Sequence, residues 1–150
     1  MSIKRKLATA VVVGLLPVLA TAAGTLDPKS VTYQLPPDIK WAKTAAGAES
    51  VVVQGSPSEP GIYVQLIRWP PGVGSRPHYH NQDRFITVIS GTWYKGTGTK
   101  YDPDSMVPMP AGTFIVDHAN GVHYDGAKNE PVLIQIVGMG PVSTTQAEER

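Results

Sequence analysis

The chain of 150 residues has no cysteine. That absence excludes disulfide staples, thiol nucleophiles and thiolate metal ligands. The fold must therefore rest on packing, and any metal site on histidine, carboxylate, amide or water. Long apolar runs are lacking after Ala22, so nothing there is expected to span a membrane. A Walker loop, a dinucleotide fingerprint and the G-x-S-x-G elbow are also missing. Asp and Glu are present, but no spacing among them argues for a glycosidase pair.

A marked charge excess is lacking as well. The chain carries 13 Lys+Arg against 12 Asp+Glu. Three of the basic residues, Lys4-Arg5-Lys6, precede an apolar stretch from Leu7 to Ala20, which is shorter than a bilayer span of about 20 residues. Ala20-Thr21-Ala22 follows as an A-x-A cleavage site, so residues 1–22 read as a secretory signal peptide. The blander readings of this segment are an amphipathic first helix or a membrane anchor. Without those three basic residues, 10 Lys+Arg face the same 12 Asp+Glu, a formal charge of −2. No basic patch points to nucleic acid. The mature chain is expected in the periplasm or outside the cell, with no membrane contact after cleavage.

What is present is a succession of short strands broken by Gly, Pro and Asn, the pattern of a sandwich or barrel. Strands are expected at 50–54, 62–69, 84–90, 92–95, 113–116 and 131–137. Residues 23–49 read as an N-terminal arm, with Tyr33, Leu35, Ile39 and Trp41 lying against the main body. Residues 141–150 read as a flexible C-terminal tail. Phe85, Thr87 and Ile89 share the outward face of their strand, which calls for a cover and predicts a homodimer or a second sheet.

Only four histidines occur. His78 and His80 sit one residue apart, directly after the turn-rich Pro70-Pro71-Gly72-Val73-Gly74-Ser75-Arg76-Pro77. On a strand they would share one face, and two imidazoles so placed can chelate one ion. A third from a neighbouring strand would complete the site. The competing reading is two surface histidines in a loop.

Gly72-x5-His78-x-His80-x3-Arg84-x6-Gly91 has the spacing of the first cupin motif, G-x5-H-x-H-x3-E-x6-G, except that Arg84 replaces the glutamate. The stretch from Pro110-Ala111-Gly112 to Val122-His123-Tyr124 resembles the second cupin region. The chain thus resembles a small single-domain cupin, over residues 50–140. The resemblance implies an all-β double-stranded β-helix, or jelly roll, with one metal bound by His78, His80 and His123. His118 falls on the rim or surface. Cupin relatives often dimerise by sheet packing, which agrees with the apolar outer face.

Arg84 matters most to the donor set, because a guanidinium stays protonated and cannot ligate. Three neutral imidazoles with open positions suit copper or iron, with zinc or nickel next and manganese less so. Strand parity aims Gln82 and Arg84 inward with the histidines. Gln82 is a candidate fourth ligand, and either residue could orient a bound oxygen species. Tyr94 and Tyr124 are candidates for a proton or radical relay. The leading reading is an oxidoreductase using O2 or peroxide on a small organic molecule or a plant polysaccharide. The alternatives are a non-enzymatic ligand- or sugar-binding jelly roll and a metal-dependent isomerase or lyase.

Overall fold

A computed structural model describes residues 24–149. The signal-peptide segment falls outside the described residues. The chain divides into two units, 1–34 and 35–150. Within the described part of the first, Asp27 organises a turn: its carbonyl accepts from Ser30 N and Val31 N, both at 3.0 Å. Among the described residues no helix is long and apolar enough to cross a membrane.

Among its described residues the second unit holds eleven strands: β1 (Ala42–Lys43), β2 (Glu49–Gln54), β3 (Gly61–Trp69), β4 (His78–His80), β5 (Arg84–Ser90), β6 (Thr92–Thr97), β7 (Val107–Pro110), β8 (Phe114–Asp117), β9 (His123–Ala127), β10 (Val132–Gly140) and β11 (Thr144–Gln146). They form two antiparallel sheets. One runs β1-β2-β3-β10-β5-β8 and the other β11-β4-β9-β6-β7. This arrangement is the double-stranded β-helix expected of a cupin.

The core lies between the sheets. Along β10, Val132, Ile134 and Ile136 are buried while Leu133, Gln135 and Val137 are only partly covered. That is the two-residue period of a strand with one face inside. Ile86 and Val88 from β5 and Tyr63 and Trp69 from β3 meet them from the same sheet, and Trp93 from β6 faces them. Before the first strand, Trp41 lies under the guanidinium of Arg68, 4.5 Å from its ring centroid to Cζ.

The segment expected to be a flexible tail differs most from expectation. Thr144–Gln146 forms β11 and pairs with β4, setting Thr144 opposite His80 and Gln146 opposite His78. Ala147 N then donates to Pro77 O at 2.8 Å and Glu149 N to Thr99 O at 3.0 Å. A three-residue strand such as β4 has an edge to cover, and these polar residues cover it.

Close backbone approach fixes the other side of the site. Gly74 and Gly126 bridge as antiparallel partners. A Cβ on Gly126 would stand 2.7 Å from Gly74 Cα, so this crossing admits no side chain.

Candidate metal centre

The second sheet brings the histidines together. His78 on β4 is the direct register partner of His123 on β9. His80 lies two residues on, on the same face. The ring centroids are 4.5 Å apart for His78–His123, 5.0 Å for His78–His80 and 5.4 Å for His80–His123. One nitrogen from each lies within 4.8 Å of the others, and all three residues are buried.

Each ring is oriented by a backbone carbonyl. His78 Nδ1 donates to Arg76 O at 2.7 Å, His80 Nδ1 to Ser143 O at 3.1 Å and His123 Nδ1 to Gly121 O at 2.9 Å. A carbonyl only accepts, so the proton sits on Nδ1 and the Nε2 lone pair is left free. Ligating histidines are held in this way. Nε2 of His80 and of His123 are buried and have no hydrogen-bond partner. Two orphaned acceptors at the centre of a three-histidine cluster are what a metal would satisfy. The residues present therefore fit the ion that the fold family implies.

The electrostatics favour the ligating form. Burial, followed by the charge of Arg84, pushes the His80 imidazole down to about 3. Burial and Lys95 also lower His123, against the pull of Asp117 and Asp125. Both rings are then neutral at ordinary pH, as metal binding needs.

Behind the histidines is a buried ion cluster that crosses between the sheets. Lys95 Nζ on β6 reaches Asp117 Oδ1 on β8 at 2.5 Å and Asp125 Oδ2 on β9 at 3.4 Å. Arg84 on β5 bonds Asp117 Oδ2 at 3.1 Å. Ser75 Oγ donates to Asp125 Oδ1 at 2.7 Å. Burial alone would raise both carboxyls. Lys95 leads the charges that outweigh it, holding Asp117 down to about 2 and keeping Asp125 below its usual value. Two cations and two anions cancel, so the cluster adds no net charge beside the imidazoles.

Two cavities reach the cluster. One, about 210 Å³, is lined by His78, His80, Arg84, Trp69 and Trp93. The other, about 420 Å³, is lined by His123, Asp117 and Lys95 together with Met109, Ile115 and Tyr124.

The remaining sequence candidates fall in different places. Arg84 lines the smaller cavity, but its guanidinium is engaged by Asp117. Gln82 lies in the bend after β4 ends at His80, so strand parity does not carry to it, and it lines neither cavity. Tyr94 sits between the inward Trp93 and Lys95 and therefore faces the other way, under Lys128 Nζ at 4.5 Å. The relay expected of Tyr94 is corrected by that parity. Tyr124 alternates with His123 and Asp125, and its hydroxyl donates to Asp102 O at 3.1 Å. His118 is 79% exposed and 4.0 Å from Asp83.

Sequence reasoning missed Lys95, Asp117 and Asp125. Their signals were parity: Lys95 shares a face with Trp93, Asp117 with Ile115, and Asp125 with His123. A lone charge on an apolar strand face has to be paired inside.

No curated protein matches the chain. Among solved structures it is similar to the polyketide cyclase RemF from Streptomyces resistomycificus, with 15% identity and TM-score 0.61 over 75% of this chain and 83% of that one. It is similar to a cupin-2 domain from Rhodospirillum rubrum, with 12% identity and TM-score 0.60 over 79% and 81%. It is also similar to KdgF from Halomonas sp., with 14% identity and TM-score 0.57 over 73% and 95%. At such identities the likeness is one of fold. Residues 30–143 match the ChrR cupin-like domain, a stretch that takes in both sheets up to β10 and the whole histidine cluster, and the chain belongs to that family.

Proposed function

We propose that His78, His80 and His123 bind one transition-metal ion and that the chain is an exported oxidoreductase acting with O2 or peroxide. The observation that carries the reading is the pair of buried, unpartnered Nε2 atoms, with all three rings fixed through Nδ1. A transition metal held there would supply Lewis-acid or one-electron chemistry. Copper and iron suit the imidazole donors best.

The chain's own residues define the rest. Three neutral imidazoles beside a balanced ion cluster leave a bound divalent charge uncompensated, which favours an anionic substrate or co-ligand. Trp69, Trp93 and Arg84 line the smaller cavity beside His78 and His80. A volume of about 210 Å³ suits a small organic molecule better than a polysaccharide chain.

A second reading is non-redox isomerase, lyase or cyclase chemistry. Lys95, Asp117 and His123 line the larger cavity together and could handle protons there. A polyketide cyclase shares the fold. The third reading is a binding module without turnover. Metal analysis of untagged protein with electron paramagnetic resonance decides among them. A Cu(II) signal with nitrogen hyperfine structure and activity lost in a folded His78→Ala variant support oxidation. Full activity with zinc moves the assignment to the second reading, and a metal-free active protein ends both.

Export and homodimer formation belong to the same proposal. Phe85 and Phe114 stack on the outer sheet face, centroids 6.4 Å apart, and are 43% and 64% exposed. A second copy would cover them.

A further inference from the structure

Gln82 lines neither cavity, but another glutamine lines the smaller one. We propose that Gln146, on the C-terminal strand β11, contacts the substrate, and that the substrate is a small carboxylate with an apolar body. This deepens the metal reading above and rests on it.

The register of the second sheet places the residue. His123 on β9 pairs with His78 on β4, and His78 pairs with Gln146 on β11. Directly opposed residues of antiparallel strands project from the same face. One row across three strands therefore carries His123, His78 and Gln146. The next row sets Thr144 beside His80, with Thr144 Oγ1 3.1 Å from His80 Nδ1. Thr145, opposite Tyr79, projects from the other face. Thr144 and Gln146 line the smaller cavity together with His78 and His80. Both are exposed, as residues at a mouth are.

The chain is held on either side of Gln146. Ser143 O accepts from His80 Nδ1 at 3.1 Å, and Ala147 N donates to Pro77 O at 2.8 Å. Glu148 then pairs with Arg76. The Gln146 amide offers both a donor and an acceptor at the cavity.

The cavity selects the ligand. Trp69, Trp93, Ile134 and Ile136 are buried and line it, which suits a hydrocarbon or aromatic body. Imidazoles ligate as neutral groups, and Arg84, Lys95, Asp117 and Asp125 balance among themselves. A divalent ion on the histidines therefore lacks a counter-charge, and a carboxylate supplies one. The same carboxylate accepts from the Gln146 N–H in a charge-assisted bond. A volume of about 210 Å³ leaves room for a body of one ring.

The test is calorimetric titration of the cobalt-loaded full chain with benzoate. Wild type is expected to bind it, and Gln146→Ala to bind it about 10-fold more weakly, the loss of one hydrogen bond to a charged group. Cobalt affinity and the visible ligand-field spectrum of Gln146→Ala should match wild type. Gln146→Glu keeps the shape but sets a negative charge beside the probe, and should lose at least as much benzoate affinity. Thr145→Ala, on the same strand but facing away, should bind benzoate as wild type does. Benzoate affinity unchanged in both Gln146 variants, or lowered as much by Thr145→Ala, would overturn the role of Gln146 while leaving the histidine site standing. A cobalt-loaded wild type that binds no benzoate would overturn the carboxylate class. Cobalt binding unaffected by His78→Ala and His80→Ala would instead overturn the metal reading, and this inference with it.

Discussion

Lys95 and Asp117 stand on opposite sheets, and their side chains meet in the interior, Nζ to Oδ1 at 2.5 Å. The pair joins the two layers at the level of the histidines. Arg84 and Asp125 complete it into a neutral set of four charges. Removing one member leaves a buried charge without compensation. Lys95→Met is therefore expected to lower stability by about 3–5 kcal/mol in urea unfolding. Arg68→Ala is the contrast. Its partner Glu49 lies on the surface, where solvent screens the pair and Arg68 is 46% exposed, and the loss should be much smaller. Equal losses in the two variants would mean that the inter-sheet cluster is no more than a surface pair in energy.

Acid should weaken the metal-free protein in two overlapping windows. The His80 imidazole falls from 6.5 to about 3 on folding, chiefly through burial. A group depressed in the folded state stabilises above its unfolded value and loses that contribution as pH falls toward the folded one. For His80 the loss runs from about pH 6.5 down to about 3, and His123 shifts in the same direction. Asp117 adds a second loss between 3.8 and about 2, where Lys95, His123 and Arg84 no longer face an anion. The urea midpoint measured in chelator should thus decline steadily below pH 6.5. In His80→Gln the decline between pH 6 and 4 should be shallower. An unchanged slope in that variant would remove His80 from the account.

The outer sheet face should hold two copies together. Phe85, Ile89 and Phe114 are 43%, 46% and 64% exposed on β5 and β8. Light scattering of the wild-type chain is expected to give a dimer mass, and Phe85→Lys with Phe114→Lys a folded monomer. A wild-type monomer would rule the dimer out.

Much of this was legible in the sequence. The two-residue period of Val132, Ile134 and Ile136 marks β10 as a strand with one face buried. The spacing of Gly72, His78, His80 and Gly91 located the motif, and the cluster forms where that motif implied. The rest was hidden for physical reasons. Residues 144–146 are Thr-Thr-Gln, with no apolar face to betray a strand, because β11 earns its place by covering the edge of β4. Gln82 was misplaced because β4 stops at His80, and nothing local marks where a three-residue strand ends. Lys95, Asp117 and Asp125 come from three strands in two sheets. Their charge balance exists only once those strands are packed.

The central claim is that the two orphaned imidazole nitrogens and their neighbour belong to one metal ion. The most direct measurement is metal content and coordination of untagged protein, wild type beside His78→Ala, His80→Ala and His123→Ala. The expected result is one tightly held transition-metal ion per chain, nitrogen-coordinated, and lost from each folded variant. A chain that stays metal-free in metal-replete medium, or that keeps its metal in all three variants, would contradict it.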